Sequence, residues 1–282
     1  MQTVIKDIEG WSTLDPVAGK LAAWVEKVTG PRVVKNALSG SWLGHQLHPA
    51  LTDVPIGAWA MATVVDAIGG KKGADVSRQL VGVGILGAVP AAWTGASDWS
   101  SSYGPEQRVG LVHGLANSVG TLLQVASWVA RRRGRHGTGA VLSAVGLGAT
   151  GAAAYLGGYL TLVRGVGVNH TAFEEGPHEW TDVAAETELT EGTPKRVEAA
   201  GVPVMLVRRG PRVLALSAVC THAGGPLDQG TLTDADCIEC PWHGSQFRLS
   251  DGAVERGPAS VPEPVWEVRL ADGRVSVRLT QE

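Results

Sequence analysis

The segments Cys220-Thr-His-Ala-Gly-Gly-Pro-Leu227 and Cys240-Pro-Trp-His-Gly-Ser-Gln-Phe247 hold two of the three cysteines and two of the eight histidines of this chain of 282 residues. Each segment follows a short β-rich run and brings one thiol and one imidazole into a loop. Thiolates and imidazoles are ligands for zinc, copper and iron. The sequence therefore predicts a metal centre to which each loop contributes one Cys and one His.

Two thiolates and two imidazoles are the ligand set of a Rieske [2Fe–2S] centre, in which two His replace two Cys on one iron. A zinc ion bound by the same four groups is the alternative. The two segments resemble the cluster-binding loops of the Rieske ferredoxin family, over about residues 185 to 280. This resemblance implies that Cys220 and Cys240 bind one iron, that His222 and His243 bind the other, and that Ser245 hydrogen-bonds a sulfide.

Three positions differ from the Rieske type of respiratory bc complexes. Gly225 and Trp242 stand where that type has an extra Cys in each loop, so no disulfide joins these loops. Cys237 is then interpreted as a buried strand cysteine. Phe247 replaces a tyrosine and lacks its hydroxyl. Because hydrogen bonds to cluster sulfur influence the potential, we expect a midpoint below the top of the Rieske range of about −150 to +300 mV.

The first half of the chain is predominantly apolar and predicts membrane spans. A helix of roughly 20 apolar residues crosses a bilayer, and small residues such as Gly146, Gly148 and Gly151 let helices approach closely in lipid. A soluble bundle of buried Gly/Ala-rich helices is the alternative. The uncharged stretches are Gln79–Ser97, Val109–Ala130 and Gly139–Val163. A weaker fourth candidate, from about Ala50 to Ile68, is uncharged only between Asp53 and Asp66.

The segment His48-Pro-Ala-Leu-Thr-Asp-Val-Pro-Ile-Gly-Ala-Trp59 resembles DUF2231, a family of four-span membrane proteins that is sometimes joined to a Rieske domain. The resemblance covers about residues 40 to 165. It implies an architecture and no activity.

The expected fold has two domains, an N-terminal all-α four-helix transmembrane bundle and a C-terminal all-β Rieske [2Fe–2S] fold. Leu21, Trp24, Val25 and Val28 recur at helical spacing, which predicts an amphipathic helix on the membrane surface or on the bundle. The expected boundaries are residues 1–48 for amphipathic helices, 49–164 for the bundle, 165–184 for a linker and 185–282 for the β domain. The expected strands include Val202–Val207, Val213–Leu216, Val265–Leu270 and Val275–Leu279.

Ionisable groups near the predicted spans suggest a second site. His48 and Asp53 lie at the start of the first span, Asp98 ends the second, and His113 lies about one turn into the third. Such groups are costly in a membrane and often face a functional cavity. Two His from different helices are able to bind haem, and a metal ion or a quinone would use the same groups. The alternative is that water and helix ends satisfy them.

Basic residues near the span ends predict an orientation in a bacterial cytoplasmic membrane. The links after the first and third spans hold seven, whereas the opposite side holds four. This excess favours a cytoplasmic position for the two links, which would place both termini and the Rieske domain outside. The seven are Lys71, Lys72, Arg78, Arg131, Arg132, Arg133 and Arg135, and the four are Arg32, Lys35, Arg108 and Arg164.

Together these patterns predict a membrane-anchored protein that carries single electrons. Its expected partners are donor and acceptor proteins or a quinone, together with membrane lipid. A net charge of −3 gives no basic surface for nucleic acid. A redox-sensing or scaffold protein, and a component of a Rieske oxygenase system, are the alternatives.

Overall fold

The computed structural model of the chain describes residues 2–280. The side chain of Lys71, one of the basic residues that predict the orientation, lies outside the described part. The described residues form two compact units, and the chain passes between them more than once. The helical unit comprises the residues up to Pro31 together with Gln46–Val166, and the β unit comprises Arg32–His45 and the residues from Gly167 onward.

Long apolar helices dominate the helical unit. Among the described residues, four are long and apolar enough to cross a membrane. They form two hairpins, α4 with α5 and α6 with α7. This confirms the predicted four-helix architecture. The helices of this unit are α1 (Gln2–Gly10), α2 (Asp15–Thr29), α4 (Leu47–Ile68), α5 (Gly70–Trp99), α6 (Gly104–Arg132) and α7 (His136–Leu162), while α3 (Arg32–Ser39) belongs to the β unit.

Small residues bring these helices together, although only in part those expected. A Cβ at Gly146 of α7 would lie 3.0 Å from the carbonyl oxygen of Gly120 of α6, so these two backbones are in close contact. A Cβ at Gly148 or Gly151 would meet nothing within 4 Å. Close packing in lipid therefore explains the first of the three predicted glycines and not the other two.

The N-terminal helices pack on the bundle with one face each. Ile5 of α1 lies with Val109 of α6 in a buried cluster, and α2 buries Val25 together with Ala18, Ala22 and Thr29. Trp24 and Val28, which belong to the predicted apolar stripe, are exposed. The stripe is thus divided, with Val25 against the bundle and most of its large side chains on the outer surface.

A buried ion pair connects the four long helices at one end of the bundle. Arg131 of α6 is 2% exposed and forms a two-pronged contact with Asp66 of α4, one prong measuring 2.7 Å. The guanidinium also donates to Ser77 Oγ of α5 at 2.7 Å and to Ser127 Oγ at 3.1 Å. Ser127 in turn donates to the Gly139 carbonyl of α7 at 2.6 Å. Arg131 is therefore a neutralised packing residue rather than a free charge.

The β unit contains two antiparallel sheets. The strands expected from the sequence are present as β3, β4, β9 and β10. The strand bounds are β1 (Thr181–Ala185), β2 (Lys195–Ala199), β3 (Val202–Arg209), β4 (Arg212–Ser217), β5 (Thr231–Leu232), β6 (Cys237–Glu239), β7 (Gln246–Arg248), β8 (Val254–Arg256), β9 (Val265–Ala271) and β10 (Arg274–Leu279). The larger sheet has the order β1-β10-β9-β4-β3-β2, and the smaller one has the order β5-β6-β7-β8.

Two of the expected boundaries differ from the structure. The predicted linker, residues 165–184, contains most of strand β1, which pairs with β10 and is therefore part of the sheet. The predicted N-terminal helical segment contains α3, which packs on the β unit. Asn36 explains this placement, because its Nδ2 donates to the Glu255 carbonyl at 3.0 Å and its Oδ1 accepts from the Gly257 amide at 2.9 Å. Its side chain thus binds the backbone at the free edge of β8.

Removal of the Arg131 charge should destabilise the helical unit. Arg131→Met leaves the Asp66 carboxylate without its ion-pair partner, which typically costs about 3 to 5 kcal/mol. We expect a lower Tm for the detergent-solubilised protein by circular dichroism. Arg133→Ala, a change at an exposed position of the same link, should leave the Tm unchanged. The double variant Asp66→Asn/Arg131→Met should be more stable than Arg131→Met, and equal stability would contradict the role of the ion pair.

Candidate metal centre

The first Cys-His loop follows β4 and is closed by its own backbone. The Cys220 amide donates to the Gly225 carbonyl at 2.8 Å, and the Gly224 amide donates back to the Cys220 carbonyl at 2.8 Å. Gly224 has φ +76°, a left-handed conformation that favours glycine. The loop therefore presents its thiol and imidazole from a tight, internally bonded turn.

The second loop, between β6 and β7, repeats this geometry. The Cys240 amide donates to the Ser245 carbonyl at 2.8 Å, and the Gly244 amide donates to the Cys240 carbonyl at 3.0 Å. Gly244 has φ +70°. In both loops the glycine four residues after the cysteine makes the turn, although His follows Cys by two residues in one loop and by three in the other.

The two loops meet so that like groups are paired. His222 Nδ1 lies 3.2 Å from His243 Nδ1, and the thiols of Cys220 and Cys240 contact each other. Within residues 2–280, no group of three or more His, Cys, Asp and Glu side chains is arranged to hold one metal ion. A mixed tetrahedral zinc site needs all four donors around one point. Thiol beside thiol and imidazole beside imidazole instead fit a two-iron centre with one iron for each pair.

Close contact between the loops excludes a side chain at Gly225. A Cβ at this position would lie 2.8 Å from Cys240 Sγ and 3.2 Å from the Trp242 ring. The extra Cys that respiratory Rieske loops carry there has no space in this chain. The ring of Trp242, which stands where the second loop of that type has its extra Cys, packs against Gly225 and is half exposed. Because Gly225 and Trp242 are in contact, the two differences from the respiratory type accompany each other.

The surroundings of the two thiols shift their pKa values in opposite directions. The pKa of Cys220 is raised, first by its hydrogen bond with Cys240 and then by burial. The same hydrogen bond lowers the pKa of Cys240 to about 7, aided by backbone amides of the second loop. One thiolate is therefore accessible near neutral pH, and metal binding displaces the proton that the pair retains.

The imidazoles are held in their neutral form. Burial lowers the pKa of His222 to about 3, with further repulsion from His243, Lys35 and His170. Burial also lowers the pKa of His243, again with a contribution from Lys35. Neutral imidazole is the form that binds a metal, so both side chains are suited to act as ligands.

Buried polar groups support both loops. The Ser245 hydroxyl accepts a hydrogen bond from the Ala259 amide at 3.0 Å, which leaves its own hydrogen available to donate. The Thr221 amide donates to Glu263 Oε1 at 2.6 Å. Glu263 is 2% exposed, and burial raises its pKa well above the usual value. The sequence gives no local signal for Glu263, because it lies 42 residues beyond Thr221.

In the helical unit the structure brings together two of the four predicted site residues. The rings of His48 and His113 have centroids 6.4 Å apart and are nearly perpendicular. His48 Nδ1 lies 2.9 Å from the Ala91 carbonyl of α5, and His113 Nδ1 lies 2.7 Å from the Ala153 carbonyl of α7. Each ring is thus oriented by the partner helix of its own hairpin.

The two predicted aspartates do not complete a metal site with this pair. Asp53 is exposed on α4, and Asp98 is partly buried near the end of α5. As noted for the described residues, no three-ligand group is present.

Family comparisons agree with both halves of this description. Residues 179–271 match the Rieske [2Fe–2S] domain, and residues 44–170 match the family described as predicted membrane protein (DUF2231). Ferredoxin CarAc of Metapseudomonas resinovorans is 38% identical over 99 residues, which are 35% of this chain and 92% of that protein. The cytochrome b6-f complex iron-sulfur subunit of Chlorobaculum tepidum is 31% identical over 97 residues, 34% of this chain and 52% of that protein.

The chain also matches a solved structure over its C-terminal part. The ferredoxin of carbazole 1,9a-dioxygenase from Nocardioides aromaticivorans IC177 is 30% identical, and the match covers 36% of this chain and 98% of that one with a TM-score of 0.34. The two antiparallel sheets and the paired loops form a β domain of the Rieske type. The chain belongs to the Rieske [2Fe–2S] family, and residues 44–170, which precede the Rieske domain, match the DUF2231 family. The Rieske domain implies a [2Fe–2S] cluster.

Proposed function

We propose that this protein is a membrane-anchored Rieske carrier that passes single electrons between redox partners. The observation that supports it is the pairing of like donors, with the two imidazole Nδ1 atoms 3.2 Å apart and the two thiols in contact. In this proposal Cys220 and Cys240 hold one iron, and His222 and His243 hold the other. When bound, such a cluster accepts and releases one electron at a time.

The chain's own residues have defined roles in this proposal. Ser245 donates its free hydroxyl hydrogen towards the cluster, while the Gly224 and Gly244 turns fix the loops. Trp242 is 52% exposed beside His243 and offers an apolar contact for a partner. One relative is a ferredoxin and another is the iron-sulfur subunit of a cytochrome b6-f complex, which supports a role in electron transfer to or from protein partners.

Substitution of single cysteines tests the ligand assignment. In the full chain purified in detergent, Cys240→Ser should abolish the Rieske EPR signal of the reduced protein, because one iron loses a thiolate. Cys237→Ser should retain the signal, since Cys237 is buried in β6 outside both loops. His243→Ala should lose the signal, while His178→Ala should keep it. Stoichiometric zinc without iron and sulfide in the wild-type protein would contradict the assignment.

The rate of turnover distinguishes a carrier from a sensor or scaffold. Native membranes supplied with quinol or NADH should reduce the cluster of a carrier quickly, and an oxidant should reoxidise it at a similar rate. A sensor has no need for fast exchange. Slow reduction with both reductants would favour the sensor alternative.

We propose that the protein lies in the bacterial cytoplasmic membrane with both termini outside. The count of basic residues near the span ends still favours this orientation when buried Arg131 is left out. An even number of spans puts both termini on the same side of the membrane. The contact of α3 with β8 independently supports a common side, because α3 precedes the first span and β8 follows the last. Protease added to spheroplasts should therefore remove a C-terminal epitope tag. Protection of the tag until the cells are lysed would reverse the orientation.

A second candidate function, haem binding in the helical unit, is favoured by the His48–His113 geometry. The Nδ1–carbonyl contacts are the kind that orient a ligating His and direct Nε2 towards a metal. His48 and His113, which lie on different hairpins, would be the residues that hold the haem, and the haem would supply one-electron chemistry. His113 Nε2 lies 3.2 Å from Asn117 Nδ2, so ligation would replace this contact. A quinone is the alternative occupant, held in its reduced form by a hydroxyl that donates a hydrogen bond to Nε2 of either ring.

Absorbance spectroscopy tests the haem proposal. Protein expressed with added haem precursor should show a Soret band, and His48→Ala and His113→Ala should each shift or weaken it because each removes one of the two residues that would hold the haem. His136→Ala, at the exposed start of α7, is the control that should retain it. A wild-type protein with the Rieske signal and no Soret band would exclude haem.

A further inference from the structure

Helix α2 has an apolar side that is exposed next to the face with which it packs on the bundle. Trp24 is 55% exposed, and Leu21 lies about one turn before it on the same side. At about 3.6 residues per turn, this side is rotated by about a quarter of a turn from the buried face. The buried face consists of Ala18, Ala22, Val25 and Thr29, and the apolar side consists of Val17, Leu21, Trp24 and Val28.

The charged residues of α2 are divided between two directions. The carboxylates of Asp15 and Glu26 accept hydrogen bonds from the bundle, so their charges are engaged by the protein. Lys20 and Lys27 are exposed and lie about opposite to the buried face. The outward surface of α2 is therefore positively charged, and it adjoins the apolar side.

Two contacts fix the direction in which α2 runs. Arg108 Nε and Nη2 donate to the Asp15 carboxylate at 2.6 and 2.7 Å, and Ser100 Oγ donates to Glu26 Oε2 at 3.1 Å. Asp15 and Glu26 are about 16 Å apart along α2. Ser100 directly follows α5, and Arg108 lies only about 6 Å along α6 from its first residue. Helix α2 therefore crosses the end of the α5–α6 hairpin instead of running along it.

The end of this hairpin lies at the level of lipid headgroups. Helices α5 and α6 have 30 and 29 residues, so they are about 45 and 43 Å long. The hydrocarbon core of a bilayer is about 30 Å thick, and the headgroup layers extend it to roughly 40 to 45 Å. Tyr103, in the turn between the two helices, is 64% exposed. An exposed aromatic side chain at this level is typical of the boundary between membrane and water.

We propose that α2 is a lipid-binding helix whose apolar side enters the headgroup layer and whose Lys20 and Lys27 bind the phosphates of anionic lipids. This inference rests on the proposed membrane position of the four long helices. An apolar side beside lysines on one helix is the pattern of helices that lie in the plane of a membrane. The two helices that α2 crosses also expose large apolar side chains, among them Leu86 and Leu115, which suit the same lipid surroundings.

Spin labels on α2 test its contact with lipid. The full chain is placed in nanodiscs of equal parts phosphatidylglycerol and phosphatidylcholine. A label at Leu21→Cys should have a several-fold higher ratio of collisions with oxygen, which concentrates in lipid, to collisions with a water-soluble nickel chelate than a label at Ala23→Cys. Ala23 is exposed away from the apolar side of the same helix and is the matched control. The three native cysteines are buried, so the label reaches the new one.

Retention of lipid tests the two lysines. Native mass spectrometry of the wild-type protein released from these nanodiscs should show more bound phosphatidylglycerol than phosphatidylcholine. Lys20→Gln/Lys27→Gln should retain about fivefold less phosphatidylglycerol for each lysine removed, because each lysine near an anionic surface attracts it. Lys20→Arg/Lys27→Arg keeps both charges and should retain the wild-type amount. Arg212→Gln/Arg274→Gln removes two exposed charges from the β unit and should also leave the amount unchanged.

The outcomes separate this inference from the proposed function. Release of the wild-type chain from native membranes by alkaline carbonate would overturn the membrane position itself. In a membrane-bound chain, equal collision ratios at Leu21→Cys and Ala23→Cys would overturn the lipid contact of α2 alone. So would a label at Leu21→Cys that neither reagent reaches, because protein would then cover it. If Leu21→Cys loses the Rieske signal, Val17→Cys on the same side takes its place.

The lysines have an outcome of their own. Equal retention of phosphatidylglycerol by the wild type and by Lys20→Gln/Lys27→Gln would overturn their role as the residues that bind anionic lipid. An equal loss in Arg212→Gln/Arg274→Gln would overturn it as well, since the effect would then follow from total charge and not from α2.

Discussion

The approach of two hydrogen-bonded loops is the constraint on which the β unit depends. Cys220 and Cys240 each close a turn through their amides, and Gly225 lets the turns touch. The loops must leave different parts of the fold, one after β4 and the other between β6 and β7. The smaller sheet supports the loop that carries Cys240 and His243, and the larger sheet supports the loop that carries Cys220 and His222. Buried polar groups outside the loops help to fix them; Glu263, for example, accepts a hydrogen bond from the Thr221 amide.

In the helical unit, a small number of buried polar groups connect helices that are otherwise apolar. Arg131 and Asp66 form a buried charged pair at one end of the bundle, and the guanidinium also donates to Ser77 of α5 and to Ser127 of its own helix. A charge in lipid is tolerated when it is neutralised in this way. The exposed apolar side chains of these helices, such as Leu86 and Leu122, suit contact with lipid tails.

Patterns within short stretches of sequence were sufficient to predict the features that depend on residues close together in the chain. The Cys-His loops, the long helices and the main strands follow from motif, hydropathy and alternation within windows of a few residues. Burial of Arg131 could not be predicted, since its partner lies 65 residues away and its neighbours Arg132 and Arg133 are exposed. Placement of α3 depended on a contact of Asn36 with the backbone over 200 residues later. The predicted His pair came together, because both positions lie near corresponding depths of separate hairpins.

The separation between Asn36 and Gly257 has a consequence for biosynthesis. Helix α3 leaves the ribosome long before β8, and the membrane helices are made between them. The bond from Asn36 to the Gly257 amide therefore forms only after the four apolar helices and most strands exist. Contacts of such large sequence separation form slowly. Until then the edge of β8 and the buried face of α3 are both uncovered, so the newly made chain passes through a stage in which chaperones have access to them.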